Sequence, residues 1–508
     1  MSVSVSMLAK WMSKPRHGRS PATIAIIGGG FSGATLAAQL LRHGQESVSV
    51  VLIDPSDCPG RGVAYGTQYS WHLLNVVARD MSALDDDPEH FLRWAQANYD
   101  SGVGPESFLP RRVYGQYIRG LLRETAGLHP SRFFFKNDEA VSIEEVERGG
   151  VVHLRHGERV RADKIVLALG SFPPSDPNLP GRTAQGVRYA PYAWSAVALE
   201  GITQDGEVLL LGSGLTAIDQ VLALRAREFR GTIHLLSRHG LLPQPHQSAA
   251  PWPRFWNEES PRTARGLLRL VRHQVRLAHR SGGDWRGVID ALRPFTARMW
   301  QSLPALEKRR FLRHLRSFWE IHRHRVAPEI DHLISYQLRS GQTRIHAGRI
   351  VRYEEGVYGV AVTYRQRRTG DHRHLFVDRV INCTGAETDC RKLNSPLVKQ
   401  LRQGGLIRPD PLGLGVDVDE NGALLNEHGA ASDFLYAIGP PRKGALWETT
   451  AVPEIRVQVR ELVRCLELER AARLLGEPSV EYAPSTLSKS RIARRTTRKR
   501  RYAIEATS

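Results

Sequence analysis

A chain of 508 residues with 41% apolar and 24% charged composition can bury a large core, and its size predicts two to four domains. Its four cysteines, Cys58, Cys383, Cys390 and Cys465, form no C-x-x-C or C-x4-C pair, which excludes a zinc ribbon and a redox dithiol. This usage predicts a reduced, cytoplasmic setting.

The net charge of +19 is unevenly spread. Residues 1–20 carry four basic and no acidic residues, 251–330 carry 17 basic against 7 acidic, and 489–508 carry 8 against 1. Since 61 of the 71 basic residues are Arg, a compositional bias competes with a functional cause. Residues 1–20 are expected to be a flexible segment, without the apolar stretch of a secretory signal. Ser20 to Leu41 lacks charge, but Gly28-Gly29-Gly30 implies a turn, so a strand, loop and helix are predicted there and no transmembrane segment.

Thr23–Ile27 is a continuous apolar run, as expected for a strand buried on both faces of a parallel sheet. Gly28-Gly29-Gly30-Phe31-Ser32-Gly33 satisfies G-x-G-x-x-G, a helix follows, and Val48–Ile53 forms a second strand ending at Asp54. Gly28 permits the tight turn, Gly30 lets a pyrophosphate approach, and Gly33 lets the helix pack close. The helix start offers free N–H groups to phosphates, and Asp54 can accept ribose hydroxyls. The ordered set predicts a dinucleotide site where the loop alone would not.

A second unit repeats the plan. Val208–Leu211 leads into Gly212-Ser213-Gly214-Leu215-Thr216-Ala217, and Thr232–Leu236 ends in Ser237-Arg238-His239. A cationic end suits the 2′-phosphate of NADP, while an ordinary surface arginine competes with that reading. Each unit is followed by a meander of short strands and an apolar strand that closes on a glycine, Gly170 in the first and Gly385 in the second.

Residues 251–330 interrupt the second unit with Trp-bearing helical sequence. Arg262, Arg265, Arg269, Arg272, Arg276 and Arg280 share one helix face, which predicts either an anion-binding or membrane-surface helix or a solvated lid. His314, His322 and His324 lack partners at ligand spacing, so no metal site is predicted. The basic tail from Lys489 is expected to be disordered, with non-specific attraction for nucleic acid or anionic lipid as a minor role at most.

Paired glycine loops with apolar strands ending in Gly resemble the two-dinucleotide-binding-domain flavoproteins, the superfamily of glutathione reductase and the flavin monooxygenases. Gly60–Gly66, His72–Val76, Leu109–Gly115, His322–Glu329 and Leu446–Arg456 resemble the YdhS-type FAD/NAD(P)-binding proteins within it. The resemblance implies an α/β fold of two Rossmann-like domains, the FAD domain discontinuous, with a helical insertion. It places FAD on residues 21–200 and 351–478, and NADPH or NADH on 201–350 with the basic insertion at about 251–330. Residues 479–508 form the tail.

By resemblance, Asn75 and Met81 lie near the flavin ring, with Arg112 and Tyr114 on the adjoining wall. A structural salt bridge is the competing reading of Arg112. Gly439 ends a late strand where relatives carry Gly-Asp, and Pro440 replaces that Asp. Glu448 precedes a helix predicted to start at Pro453, whose N-terminus in the superfamily faces the flavin.

The implied activity is an FAD-dependent, NAD(P)H-linked oxidoreductase passing a hydride to FAD and then to oxygen or an organic acceptor, with the substrate open. Absence of a cysteine pair argues against a disulfide reductase. The segment Gly186–Trp194 does not reproduce the flavin-monooxygenase fingerprint. No general acid or base is assigned. The alternative is a flavin-binding sensor or scaffold acting through its basic surfaces.

Overall fold

The structure is a computed structural model that describes residues 22–44, 48–183 and 186–475. Its first sheet takes β1 (Ala22–Ile27), β2 (Val48–Ile53) and β3 (Phe133–Lys136) from the N-terminal stretch. An antiparallel meander of β4 (Ala140–Glu145), β5 (Gly150–Leu154) and β6 (Arg159–Ala162) follows, and the chain returns through β7 (Lys164–Leu167). The second sheet holds β8 (Tyr189–Ala190), β9 (Glu207–Leu211), β10 (Thr232–Ser237), β11 (Thr343–Glu355), β12 (Val360–Gln366), β13 (His372–Val377) and β14 (Arg379–Asn382). Finally β15 (Ala423–Leu425) and β16 (Ala431–Ala437) rejoin the first sheet, giving the order β15-β16-β7-β1-β2-β3.

The apolar runs are buried as their lack of alternation requires. Ala25 and Ile26 of β1, and Val208, Leu209 and Leu210 of β9, are fully buried. Between β1 and β2 runs α1 (Phe31–His43), every residue of which is buried from Phe31 to Leu41. Such a helix needs cover on all sides, and α2 (Arg111–Leu128) packs against it. The meander and the helix Pro396–Gln403 cover the opposite face of the first sheet, with Val152, Val160, Leu397 and Leu401 in one core with Ala25 and Ile165.

In the second sheet α3 (Leu215–Ala226) follows the glycine loop. The insertion comprises α4 (Ala264–Arg280), α5 (Trp285–Leu292), α6 (Thr296–Ser302), α7 (Ala305–His314) and α8 (Arg316–Arg323). It precedes the crossover helix α9 (Pro328–Arg339), whose Ile330 and Ile334 lie in the core of the second module. The last helix is α10 (Val452–Leu475), starting one residue before the expected Pro453.

Two expected boundaries move. The seven-stranded sheet runs in the order β13-β12-β11-β10-β9-β14-β8, so it begins before residue 201 and ends well after 350. The cause is β11, one long strand that pairs in parallel with β10, passes a bulge at Ile350/Arg352 and continues into the meander. In the first module β3 and β4 are separate strands in separate sheets. The stretch from 351 to 382 therefore belongs to the second sheet, and the return to the first comes later.

Arg265, Arg269, Arg272, Arg276 and Arg280 all lie exposed on α4, while Leu267 and Val271 are half-buried. Arg262 precedes the helix, whose N-cap is Thr263, its hydroxyl accepting from the Gly266 N–H at 3.1 Å. Among the described residues no helix is long and apolar enough to cross a membrane. No cluster there of three or more His, Cys, Asp or Glu could hold a metal. The expected flexible N-terminal segment and basic tail lie outside the described residues.

Candidate cofactor cleft

The two glycine loops share one backbone plan. In the first, the Gly28 N–H donates to the Ile53 carbonyl at 2.8 Å and the Ala168 N–H to the Ile27 carbonyl at 2.8 Å. In the second, the Gly212 N–H donates to Leu236 at 2.8 Å and the Cys383 N–H to Leu211 at 2.9 Å. Gly28 and Gly212 have φ of +106° and +120°, and a Cβ would sit 2.4 Å from the Ala168 oxygen or 2.5 Å from the Cys383 oxygen. Only glycine fits either place. A Cβ on Gly33 would lie 1.9 Å from the Gly28 oxygen, whereas Ala217 takes the matching place in the second loop and is fully buried.

Gly30 and Gly214 differ from these. Their backbones are ordinary, at φ −68° and −86°. A Cβ on Gly30 would meet only the Gly62 Cα at 3.7 Å, and one on Gly214 would meet nothing within 4 Å. The protein's own packing does not require glycine at either position. The space they keep open lies at a helix N-terminus, where amide N–H groups favour an anion.

The ends of the second strands differ in charge. Asp54 accepts from the Gly29 N–H at 2.5 Å and, through its other oxygen, from the Ser56 N–H at 2.8 Å, so the acid ties its own loop. At the same place Ser237 Oγ accepts from the Gly240 N–H at 2.9 Å and lies 2.8 Å from Ser213 Oγ. Arg238 follows, exposed. It opens onto a basic basin of about 1180 Å³ that also takes in Arg309, Arg313, Arg349, Arg365 and Arg368. None of these six arginines has an ion-pair partner among the described residues. Burial, then the nearby Arg367, Arg238 and Arg349 charges, hold His239 below the usual imidazole range.

Gly212, Gly214, Ser237 and Arg238 line a cleft of about 960 Å³ at the C-terminal ends of β9, β10 and β14. Gly170 and Gly385 line it too, at φ of +65° and +95° with open space beside each. The first loop lies outside it and is crossed by the segment following Gly60, whose N–H donates to the Gly29 carbonyl at 2.6 Å. Phe31 packs near Tyr65 and Tyr114, with centroids 6.2 and 6.0 Å away. Ser32 lies under Gly439, where a Cβ would come 2.6 Å from its hydroxyl. The Gly439 N–H donates to Gln458 Oε1 on α10 at 2.9 Å, which draws the C-terminal strand end against the first loop.

Asn75, Met81 and Arg112 line neither the cleft nor the basin. The Asn75 carbonyl accepts from His246 Nε2 at 2.9 Å, and Met81 is buried. The residue before Arg112 makes a salt bridge: Arg111 pairs with Asp219 at 2.8 Å, with both side chains buried. That pair joins α2 of the first module to α3 of the second, and His72 Nε2 donates to the Asp219 carbonyl at 2.8 Å beside it. Arg112 has no ion pair among the described residues, its Nε is buried without a partner, and so are Tyr114 Oη and Thr449 Oγ1. Buried polar atoms left this way are few in native proteins, and each needs a partner that water, an ion or a ligand can supply. Glycine openings and orphaned donors together fit FAD at the first loop, as the basic end of the second fits a phosphorylated nicotinamide dinucleotide.

His246 carried no local signal in the sequence, because only the fold brings it to Asn75. Burial pushes its imidazole down to about 4 against a raising contribution from the Asn75 carbonyl. Glu448 accepts from the Trp319 indole N–H at 2.7 Å and stands 3.6 Å from His324 Nε2. Burial pushes its carboxyl up, but His324, Arg323, the Trp319 donor and Lys443 hold it below the usual range. Glu454, in the first turn of α10, pairs with Arg293 at 2.9 Å and Arg323 at 2.8 Å, so the insertion is clamped to the start of that helix. None of the four cysteines forms a disulfide among the described residues, and burial raises the thiols of Cys383 and Cys390, the latter to about 11. Neither is a ready thiolate at neutral pH.

Residues 25–172 match the FAD-NAD(P)-binding family. A comparison with curated proteins finds no match. Among solved structures the chain is similar to reduced ornithine hydroxylase from Pseudomonas aeruginosa, at 16% identity over 89% of this chain and 99% of that one, TM-score 0.59. L-lysine 6-monooxygenase from Pseudomonas syringae is similar at 18% identity over 89% and 99%, TM-score 0.58. The FAD-bound cadaverine monooxygenase of Erwinia amylovora is similar at 14% identity over 87% and 93%, TM-score 0.61. The fold is thus that of the two-domain flavin-dependent oxidoreductases and monooxygenases. Within it, this chain carries an FAD/NAD(P)-binding domain at its N-terminal end.

Proposed function

We propose that this chain is an FAD-dependent, NADPH-linked oxidoreductase of the YdhS-type. The observation that carries the reading is the pair of glycines, Gly30 and Gly214, kept without a Cβ where nothing in the protein needs the room. Gly28, Gly30, Gly33 and the α1 N-terminus hold the FAD pyrophosphate, Asp54 the ribose, and Arg112 with Asn75 and Met81 border the flavin. Gly212, Gly214, Ser237 and Arg238 hold NADPH, the last meeting the 2′-phosphate. Bound FAD supplies hydride acceptance from the nicotinamide and delivery of electrons to oxygen or an organic acceptor. The chain's part is to bind, orient and shield the two rings, with Glu448 and Glu454 fixing the approach to α10. Similarity to the three monooxygenases favours oxygen as the acceptor.

The test is the visible spectrum during anaerobic addition of NADPH and, separately, NADH. Bound flavin that bleaches faster with NADPH supports the proposal. Bound flavin that neither nucleotide reduces favours a flavin-binding sensor. A protein that takes up no flavin after reconstitution with FAD overturns both.

A further inference from the structure

The basin beside Arg238 gathers more positive charge than one phosphate can use. Its lining contains no Asp or Glu, and arginines reach it from separate elements of the fold. Arg349 comes from β11, Arg365 from the end of β12, and Arg309 with Arg313 from α7 of the insertion. A phosphate engages about one or two guanidinium forks, so the 2′-phosphate of NADPH would leave most of these cations unused. A concavity lined by one sign of charge focuses its field and draws in counter-ions.

The placing of these arginines is an independent observation, because the fold sets like charges against each other. Arg349 and Arg365 are direct partners where β11 pairs with β12, and both line the basin. Like charges directly opposite across two strands destabilise the pairing. Arg309 and Arg313 stand one turn apart on α7, a spacing at which like charges also repel. On the same helix Arg310, which does not line the basin, pairs with Glu307. Two other lining arginines are engaged as a frame: Arg367 donates to the Arg238 carbonyl at 3.1 Å, and Arg391 pairs with Asp389 at 2.7 Å. An arginine-rich composition alone explains neither the two juxtapositions nor the lack of acids in the lining.

We propose that the basin binds an oligophosphate, several adjacent phosphate groups carried by one small molecule. Such an anion engages arginines from β11, β12 and α7 together and relieves the repulsion within each pair, for which a lone carboxylate offers too little charge. Planar guanidinium forks suit phosphate oxygens, which they meet two at a time. The basin joins the cofactor cleft, since Arg238, His239, Gly348 and Arg349 line both. On the NADPH reading, a bound oligophosphate takes Arg238 from the 2′-phosphate, and so competes with NADPH and not with NADH; binding itself does not rest on that reading.

The experiment titrates the full FAD-loaded chain with sodium tripolyphosphate by calorimetry at fixed ionic strength, with ATP, sulfate and a short deoxythymidine oligonucleotide as comparison ligands. Saturable binding of tripolyphosphate is expected, roughly tenfold or more tighter than that of sulfate. Arg309→Gln with Arg313→Gln should weaken it about tenfold or more and leave flavin content and NADPH affinity as in the parent. Arg365→Gln should also weaken it, while the ligand-free protein melts no lower than the parent because a like-charge pair is gone. Equal affinity for tripolyphosphate and ATP supports recognition of the phosphates alone, and a preference for ATP supports an oligophosphate borne on a nucleoside. Binding that never saturates, that sulfate matches, or that Arg309→Gln with Arg313→Gln leaves untouched in a protein retaining its flavin, overturns the site. Tighter binding of the oligonucleotide at equal phosphate concentration overturns the oligophosphate in favour of nucleic acid. Saturable tripolyphosphate binding with no rise in the apparent Kd for NADPH overturns the competition alone. Failure of NADPH to bind counts against the cofactor reading and leaves the tripolyphosphate result standing.

Discussion

The two glycine-loop modules use the same hydrogen bonds between strands and loop, yet they end their second strands in opposite ways. In the first, an acid closes its own loop through the Gly29 N–H. In the second, the hydroxyl of Ser237 takes over that tethering, and the next side chain is an arginine with no ion pair among the described residues. The backbone plan therefore makes a place for a pyrophosphate, and one or two residues at a strand end decide which nucleotide's other features are welcome.

The strongest way to break this comparison is at the glycines. Gly33→Ala should force the Gly28 carbonyl aside, with an expected loss of several kcal/mol and of bound flavin, read from thermal unfolding and the visible spectrum. Gly214→Ala should leave the melting temperature close to that of the parent and weaken NADPH binding about tenfold or more, measured by titration. Equal damage from both would show that the modules are not built as the geometry indicates.

Next in size is the tie between them. Asp219→Ala leaves Arg111 buried without its partner and should cost about 3–5 kcal/mol in denaturant unfolding, whereas Arg112→Ala, removing an unpaired guanidinium, should cost far less stability and more flavin affinity. Arg238→Ala should lower NADPH affinity about 10- to 100-fold and leave NADH affinity nearly unchanged, as expected for a charge-assisted phosphate contact. An unchanged ratio would remove the cationic end from the account of cofactor choice.

The last effect is a pH dependence. The folded state holds His246 at about 4, below its ordinary 6.5. The unfolded chain then takes up a proton that the native state refuses. The His246 contribution is therefore fully present above pH 6.5 and is lost as pH falls from 6.5 towards 4. Comparing unfolding midpoints across that window for the parent and His246→Gln should show a shallower slope in the variant.

What could be read from the chain follows the range of the forces involved. Glycine loops, apolar strands and the charges at Asp54 and Arg238 are local signals, so both modules and their order were legible. Arg111 and Arg112 were not separable, because adjacent helix positions point about 100° apart. Which one meets Asp219 depends on how α3 packs, 108 residues further on. The boundaries near 200 and 350 misplaced β8 and β12–β14, since continuation of β11 through a bulge is a matter of sheet pairing, not composition. The positive φ of Trp447 carried no sequence signal either: it is the centre of a γ-turn closed by the Glu448 N–H on the Leu446 carbonyl at 2.8 Å, at a residue that is not glycine.

The return of β16 to pair with β7 sets an order for biosynthesis. The second sheet draws its strands from Tyr189 to Asn382, so all of them leave the ribosome before β16 does. Until residues 431–437 arrive, β7 is an open edge with unpaired backbone groups, the kind of edge that invites pairing with other chains. A nascent chain would thus finish its second nucleotide module while its first, begun earlier, waits for the last strands to seal it.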